Sequence, residues 1–346
     1  MQEKKQFTAL TSLKGLFILV IAFHNTMLVK PLFESVPGSA FLRLYGGELG
    51  NSMFLLLSGF LMAYTYRDRI GSGRVSFPEY LKKRLLKLYP LFLVTNLVDL
   101  LVEVFMHGPS AVNLQKIAFT FLLQNGGGLS NASPYNTPTW FVSALLVCYA
   151  AFFLVCRYCR NSTQYRLSIA AGISWGYLLI GLKASVPFCY EANGVAFMNF
   201  FLGCALAELY PMTERNHKAW KPLAACVLLA VSLVLPLRYG VENICGDATV
   251  AFAFVICPLI LYLALAKGFC SWILQWKGFV ALGNISMSVF FWHLVVYDIF
   301  TLAVGYLMPG VLVREALYGV YAAVMLVWSL LSHRYLERHL LAKVTA

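Results

Sequence analysis

His24 is the residue of this chain best placed for proton-transfer chemistry. It lies deep in the apolar run LKGLFILVIAFHNTMLV, ten positions after Lys14 on the same segment. An ionisable side chain at that depth of a membrane segment is costly and is functional by default, and an imidazole exchanges protons near neutral pH. A structural histidine that hydrogen-bonds a neighbouring helix is the alternative. The segment therefore indicates either catalysis inside a membrane or a polar contact between helices.

A cluster of cations begins the third apolar segment. The stretch YLKKRLLKLYP contains Lys82, Lys83, Arg84 and Lys87. Like charges at this density repel one another, so an anionic partner is favoured. Two partners stay open at this point. One is the anionic lipid headgroups of the cytoplasmic leaflet, and the other is a phosphate-bearing cosubstrate such as coenzyme A.

Other apolar segments also carry unusual residues. Ser58 lies in LSGFLMAY, where small residues let helix backbones approach closely. Trp140 begins the stretch WFVSALLVCY, which ends at Tyr149, and an interfacial tryptophan is expected as a membrane anchor. His293 lies near the outer end of a late apolar segment, where we expect it to be structural or to line an outer cavity. Packing alone would explain Ser58 and Trp140.

The composition predicts an all-α polytopic membrane helix bundle that would position these residues. Of the 346 residues, 60% are hydrophobic and 12% are charged, which leaves too little polar surface for a soluble domain. Ten segments approach the roughly 20 apolar residues that a membrane-spanning helix needs. Residues 112–124 are predicted to be interfacial or re-entrant, with an additional membrane element as the alternative, and residues 1–346 are expected to form one domain. The ten segments centre near Leu19, Leu57, Leu93, Leu146, Trp175, Phe201, Leu229, Val255, Phe290 and Val324.

The net charge of +12 would fit nucleic-acid binding, but the basic residues are scattered between apolar runs. Such residues set membrane orientation, and their excess marks the cytoplasmic side. Ten spans place most of the 27 Lys and Arg residues on the side of both termini. We therefore expect an integral plasma (inner) membrane protein with cytoplasmic termini and no nucleic-acid partner. His24 then lies in the outer half of the membrane.

The nine cysteines show no spacing typical of a metal site or a disulfide framework. We therefore expect no bound metal. Cys189 and Cys245 both fall in predicted outer loops, where an oxidising exterior would allow them to pair.

Taken in order, these stretches resemble the acyltransferase-three family of integral membrane O-acyltransferases. Two departures stand out. Nine residues separate Lys14 from His24 where the family usually has ten, which rotates the pair by about 100° and argues against a direct partnership. Leu145 and Leu146 occupy the positions of two glutamates found in many members. The matching stretches are Leu13-Lys14-Gly15 with Phe23-His24, Phe54 to Phe60, Tyr80 with Lys83 to Pro90, Trp140 to Tyr149, and Leu282 to His293.

The resemblance implies a membrane O-acyltransferase, most simply an O-acetyltransferase, with His24 as general base. The acyl donor would be acetyl-CoA arriving from the cytoplasm, and the acceptor would be a hydroxyl of a sugar or cell-envelope glycan. The sequence ends after the tenth segment, so it resembles the branch without an extracellular esterase-like domain. The residues expected to hold the coenzyme A phosphates are Lys14, Arg84, Lys87 and Lys83. Those expected to bind substrate or to be structural in the site are Ser58, Trp140, Tyr149 and His293.

The main alternative is a multi-span transporter, or an export protein for glycans or lipids, without acyl-transfer activity. Carriers often contain internal repeats with matched broken helices, and the two halves of this sequence show no convincing repeat. A partner subunit that has lost activity is a third possibility. The acceptor, the length of the acyl chain, a covalent acyl-enzyme and the oligomeric state stay open.

Overall fold

The computed structural model describes residues 2–29, 39–215, 220–240, 247–266, 268–308 and 315–338. These residues fold as an all-α bundle, in which the only pairing of extended backbone among them is an isolated bridge between Asn125 and Ser130. The helices are α1 (Gln2–Val29), α2 (Ser39–Gly71), α3 (Phe77–His107), α4 (Leu114–Phe121), α5 (Trp140–Tyr158), α6 (Ser162–Leu182), α7 (Glu191–Arg215), α8 (Trp220–Tyr239), α9 (Ala248–Leu265, with a π-helical turn at Phe252–Ile256), α10 (Phe269–Ile273), α11 (Lys277–Leu307) and α12 (Glu315–Leu331, continued by a π-helical turn at Ser332–Glu337).

Each of the ten predicted segments corresponds to a helix, and α4 and α10 are the two short extra helices. Within the described residues, six helices are long and apolar enough to cross a membrane: α1, α3, α5, α7, α9 and α11. The fold class predicted from composition is confirmed. The segment within residues 112–124 is an eight-residue helix, about 12 Å long at 1.5 Å per residue, which is too short to cross a hydrocarbon core of about 30 Å.

Close helix contacts are made at glycines, as the small residues of LSGFLMAY predicted. Gly59 on α2 lies directly on the backbone of Phe200 on α7, and Gly203 on α7 lies on the Leu56 carbonyl of α2, so a methyl group at either position would overlap the partner backbone. Gly15 on α1 and Gly283 on α11 make the same kind of contact. These contacts hold α2 close to α7 and α1 close to α11.

A capping box fixes the start of α3. The Ser76 backbone N–H donates to Glu79 Oε2 over 3.0 Å, and the Glu79 backbone N–H donates to Ser76 Oγ over 3.4 Å. The cationic stretch is therefore helical from its beginning. Positions three and four residues apart share a helix face, so Arg84, Lys87 and Leu88 face the same interior space.

Candidate active site

A cavity of about 200 Å³ lies between α1, α2, α3, α5 and α11. It brings together five of the residues singled out in the sequence, which come from four different helices. Its inner wall is apolar and includes Leu61, Leu145 and Phe290. The five sequence-predicted residues at the cavity are Lys14, Ser58, Arg84, Lys87 and Tyr149.

Three cations face this cavity: Lys14, Arg84 and Lys87. The lining residues that the structure describes include no Asp or Glu. Lys14 and Lys87 line the same small cavity, where their like charges repel each other. Three uncompensated cations around one small space favour an anion, and a phosphate oxygen accepts charge-assisted hydrogen bonds from all of them.

Arg84 is held by aromatic rings rather than by an acid. Its guanidinium carbon lies 4.4 Å from the ring centroid of Tyr66, 5.4 Å from that of Tyr80 and 6.0 Å from that of Tyr149. These are cation–π distances. The Nε and Nη2 atoms are buried and have no hydrogen-bond partner among the described residues. Buried donors without a partner are costly, so this guanidinium is arranged to donate to an acceptor that enters the cavity.

Ser58 and Tyr149 contribute hydroxyl groups to the cavity lining. Ser58 lies on α2 and Tyr149 on α5. Tyr149 is 7% exposed, and its ring packs edge-on against Tyr80 and Phe200, with centroids 6.3 Å and 5.8 Å away. The Tyr149 ring is therefore fixed, and it lines the same cavity as Arg84.

His24 lies one helical turn beyond Ile21, the α1 residue that ends the cavity wall, and is not itself a lining residue. Its side chain is 8% exposed. Gly47 of α2 lies against the imidazole: a Cβ atom built on Gly47 would be 2.6 Å from Nε2 and 2.8 Å from Cδ2. One built on Gly46 would be 3.0 Å from the Cβ atom of His24. The imidazole therefore occupies space that exists only because α2 carries two glycines there.

Lys14 and His24 belong to different parts of the site, as the departure in their spacing suggested. Both lie on α1, and ten residues of helix separate them by about 15 Å along the axis. Ile21 and Phe54 line the cavity between them. Lys14 is at the cationic end, whereas His24 lies beyond the apolar end.

His293 is fully buried and serves a contact between α1 and α11. Its Nδ1 is 2.8 Å from the carbonyl oxygen of Phe290, and its Nε2 is 2.8 Å from the side-chain amide nitrogen of Asn25. Since a carbonyl oxygen only accepts, Nδ1 carries the proton and Nε2 accepts from Asn25. The imidazole is thus neutral with both nitrogens in use, and it is not a cavity-lining residue.

Lys83 and Trp140 also lie outside the cavity lining. Lys83 precedes Arg84 by one residue, which turns it about 100° away from the Arg84 face, and its side chain is exposed. Trp140 packs on Phe141, with ring centroids 6.2 Å apart, and a Cβ atom built on Gly126 would lie 2.3 Å from the Cβ atom of Trp140. Its structural contact is thus with the loop before α5.

Three polar residues that the sequence patterns did not single out connect that loop to the helices of the cavity. The Asn136 side-chain amide donates to the carbonyl oxygen of Phe291 over 2.7 Å, and the Asn136 backbone N–H donates to Asn96 Oδ1 over 2.9 Å. The Asn96 amide in turn donates to Thr139 Oγ1 over 3.2 Å. Phe291 lines the cavity, so this network fixes one of its walls.

Within the described part of the chain, no three His, Cys, Asp or Glu side chains are grouped to hold a metal ion. Cys245 lies outside the described residues, and its pairing with Cys189 stays a prediction.

The family model of the acyltransferase domain Acyl_transf_3 matches residues 7–334, nearly the whole chain. The chain belongs to the acyltransferase-three family. A curated relative, Acyltransferase MdmB from Streptomyces mycarofaciens, is 27% identical over 218 residues. The aligned stretch covers 61% of this chain and 51% of that relative, so the chain spans about half the length of the relative that it matches. No solved structure matches the chain.

Family membership and the apolar helices together confirm the resemblance drawn from the ordered motifs. The match begins before Lys14 and extends past His293. All the stretches that carried the resemblance therefore lie inside one family domain of a membrane protein.

Proposed function

We propose that this protein is a membrane O-acyltransferase. It takes an acyl group from an acyl-coenzyme A, most simply acetyl-CoA, and transfers it to a hydroxyl of a sugar or cell-envelope glycan. The observation that carries the proposal is the cavity: cations without acids at one end, an apolar wall, and His24 one turn beyond the other end. The family to which the chain belongs supports an acyl donor and an acceptor.

The cationic end suits the phosphates of coenzyme A. Arg84 offers buried N–H groups without a partner, and Lys14 and Lys87 add two ammonium groups. Phosphate oxygens would complete these hydrogen bonds and neutralise the repulsion between the lysines. Lys87 is exposed, so it lies where a donor enters from the water. Lys83 is exposed next to it and would attract the donor without entering the cavity.

The rest of the donor fits the path from Lys14 to His24. The flexible pantetheine arm is long enough to bridge the roughly 15 Å that ten residues of helix span. Its apolar portions would pack on Ile21, Phe54 and Phe290, and its amide groups would meet the hydroxyl of Tyr149. The thioester carbon would then lie at the end of the cavity nearest His24.

His24 would act as general base on the acceptor. The imidazole takes the proton of the acceptor hydroxyl while the hydroxyl oxygen forms a bond to the thioester carbon. The carbon–sulfur bond then breaks, and the imidazolium returns the proton to the leaving thiolate. Atoms and charge balance: the products are an ester and free coenzyme A, and His24 is neutral again.

The charge distribution supports an orientation for this reaction. We place the protein in the plasma (inner) membrane with both termini in the cytoplasm, because most Lys and Arg residues fall on that side. The donor then enters from the cytoplasm, and His24 meets the acceptor in the outer half of the membrane. One domain with surrounding membrane lipids would suffice for the transfer.

A direct assay tests the proposal. Purified full-length protein is incubated with radiolabelled acetyl-CoA and glycan fragments, and both free coenzyme A and labelled glycan are measured. We expect both products in equal amounts. As a matched control, His107→Ala changes an exposed histidine at the end of α3 and should leave the rate unchanged. If the protein, reconstituted in vesicles, moves glycan across the vesicle membrane without releasing coenzyme A, it is instead a transporter.

A further inference from the structure

A second, larger hollow lies on the outer face of the α3–α5 pair, with a volume of about 680 Å³. Its walls are almost entirely apolar. Leu85, Leu86 and Tyr89 on α3 face Leu146, Val147 and Ala150 on α5. We call this hollow the α3–α5 groove.

The α3–α5 groove is distinct from the cavity of the candidate active site. The cavity is lined by Arg84 and Leu88 of α3 and by Leu145 and Tyr149 of α5. The groove uses the other faces of the same helices, and the two hollows share no lining residue. It is therefore not explained by donor binding.

One end of the groove is built from backbone in an uncommon conformation. Leu123 and Phe188 line this end, and both have left-handed backbone, with φ of 58° and 62°. Residues other than glycine keep such conformations only where surrounding contacts enforce them. Hydrogen bonds of 2.9 Å from Leu123 N–H to the Thr120 carbonyl and from Phe188 N–H to the Gly128 carbonyl do so. The groove therefore has a fixed end wall.

The opposite end of the groove carries a cation. An adjoining depression lined by Phe77, Pro78 and Lys82 shares Leu81, Leu85 and Leu86 with the groove, so the two are continuous. Lys82 is exposed and forms no ion pair with any described residue. By the charge distribution of the sequence, this end faces the cytoplasm, where the leaflet is rich in anionic lipids.

The length of the groove fits one leaflet. Lys82 and Pro90, near the two ends of its α3 wall, are eight residues apart, which is about 12 Å of helix. Half of a hydrocarbon core of about 30 Å is similar. An occupant with one charged end and an apolar tail confined to one leaflet would match both the charge and the length.

We propose that the α3–α5 groove binds one acyl chain of an anionic glycerophospholipid, with the lipid phosphate on Lys82. Apolar burial against the leucines and Tyr89 holds the chain, and the ammonium group selects an anionic headgroup. This site is independent of acyl transfer.

Lipid retention tests the proposal. Full-length protein is reconstituted in vesicles of phosphatidylglycerol and phosphatidylethanolamine, extracted in mild detergent, and analysed for retained lipid by mass spectrometry. We expect phosphatidylglycerol to be retained in preference to phosphatidylethanolamine. Lys82→Gln should lower the retention of phosphatidylglycerol about fivefold, which is the effect of one cation near an anionic surface. Arg160→Gln, an exposed cation at the end of α5, is the control and should change nothing.

A second test fills the groove with a larger side chain. Ala150→Trp should lower retention several-fold, whereas Leu154→Trp on the exposed face of α5 should not, because Leu154 is 52% exposed and is not a groove residue. Equal retention by the Ala150→Trp and Leu154→Trp proteins would overturn the site.

If the Ala150→Trp protein does not fold, the site can be tested in the wild-type protein by photolabelling with a phospholipid that carries a diazirine in its acyl chain. Wild-type protein should be labelled mainly within 81–90 and 143–150. Labelling spread evenly over the exposed faces of α8 and α12 would contradict the proposal.

Discussion

The side-chain amide of Asn25 donates a hydrogen bond to Nε2 of His293 over 2.8 Å and so ties α1 to α11 one residue after His24. The other imidazole nitrogen donates to the Phe290 carbonyl over 2.8 Å. His293 therefore has no nitrogen left to take a proton from a substrate. Of the two histidines in the family-like motifs, His24 is the candidate base, and Asn25 with His293 fixes the helix that carries it.

The Asn25–His293 hydrogen bond should stabilise the contact between α1 and α11. Asn25→Ala leaves the buried Nε2 of His293 without a donor and should destabilise the protein by about 1–3 kcal/mol. Because the two side chains interact directly, Asn25→Ala and His293→Ala should be non-additive in thermal unfolding. Their coupling energy should be near the value of about 0.6 kcal/mol measured for hydrogen bonds within membranes. Fully additive effects would show that the bond does not hold α1 to α11.

Arg84 should govern donor affinity. Its loss removes charge-assisted hydrogen bonds worth about 1.5–3 kcal/mol, so Arg84→Gln should raise the KM for acyl-CoA about tenfold or more. Arg84→Lys should recover only part of this affinity, because an ammonium lacks the planar fork that rests on Tyr66. Steady-state kinetics measures both. Arg74→Gln, an exposed cation just before α3, is the control, and an unchanged KM in Arg84→Gln would remove Arg84 from the donor site.

Gly47 should be needed for the orientation of His24. In Gly47→Ala the new methyl group would lie 2.6 Å from Nε2 of the imidazole, so the ring must move. We expect kcat to fall while the KM for acyl-CoA, set at the opposite end of the cavity, stays the same. Gly181→Ala adds a methyl group where no atom lies within 4 Å and should be neutral. Full activity of Gly47→Ala would show that the imidazole position is not critical.

Gly59 should matter for stability rather than for chemistry. Gly59→Ala places a methyl group on the Phe200 backbone and forces α2 away from α7. Overpacking of this kind typically costs about 1–3 kcal/mol. Thermal unfolding in detergent should show the loss, whereas Gly305→Ala, which has open space around it, should unfold like the wild type. Equal unfolding temperatures would mean that the α2–α7 contact adapts easily.

Much of the architecture could be predicted from the sequence because apolar segment length is a local property. The ten segments and the short helix within 112–124 follow from where apolar runs begin and end. Lys14, Arg84 and Lys87 line one cavity, and the anion that they are expected to share stays a prediction, based on their charge and on the family motifs.

The partners of these residues depend on tertiary contacts and could not be predicted in the same way. Asn25 and His293 are 268 residues apart, and no local pattern indicates that they meet. Gly46 and Gly47 did leave a signal, since the run YGGELG puts small residues one turn apart on α2, but nothing in it says that the partner is His24. Neither Lys83 nor Trp140 lines the cavity. Lys83 is turned away by its position on α3, one residue from Arg84, and Trp140 packs on the loop before α5.

A His24→Ala variant tests whether His24 is the general base of acyl transfer. His24→Ala protein, matched to wild type for membrane abundance, is assayed for release of coenzyme A in the presence of the acceptor. A general base contributes about 10²–10⁴-fold to the rate. We expect kcat to fall by that factor with little change in the KM for acyl-CoA, whereas release at the wild-type rate would contradict the general-base role of His24.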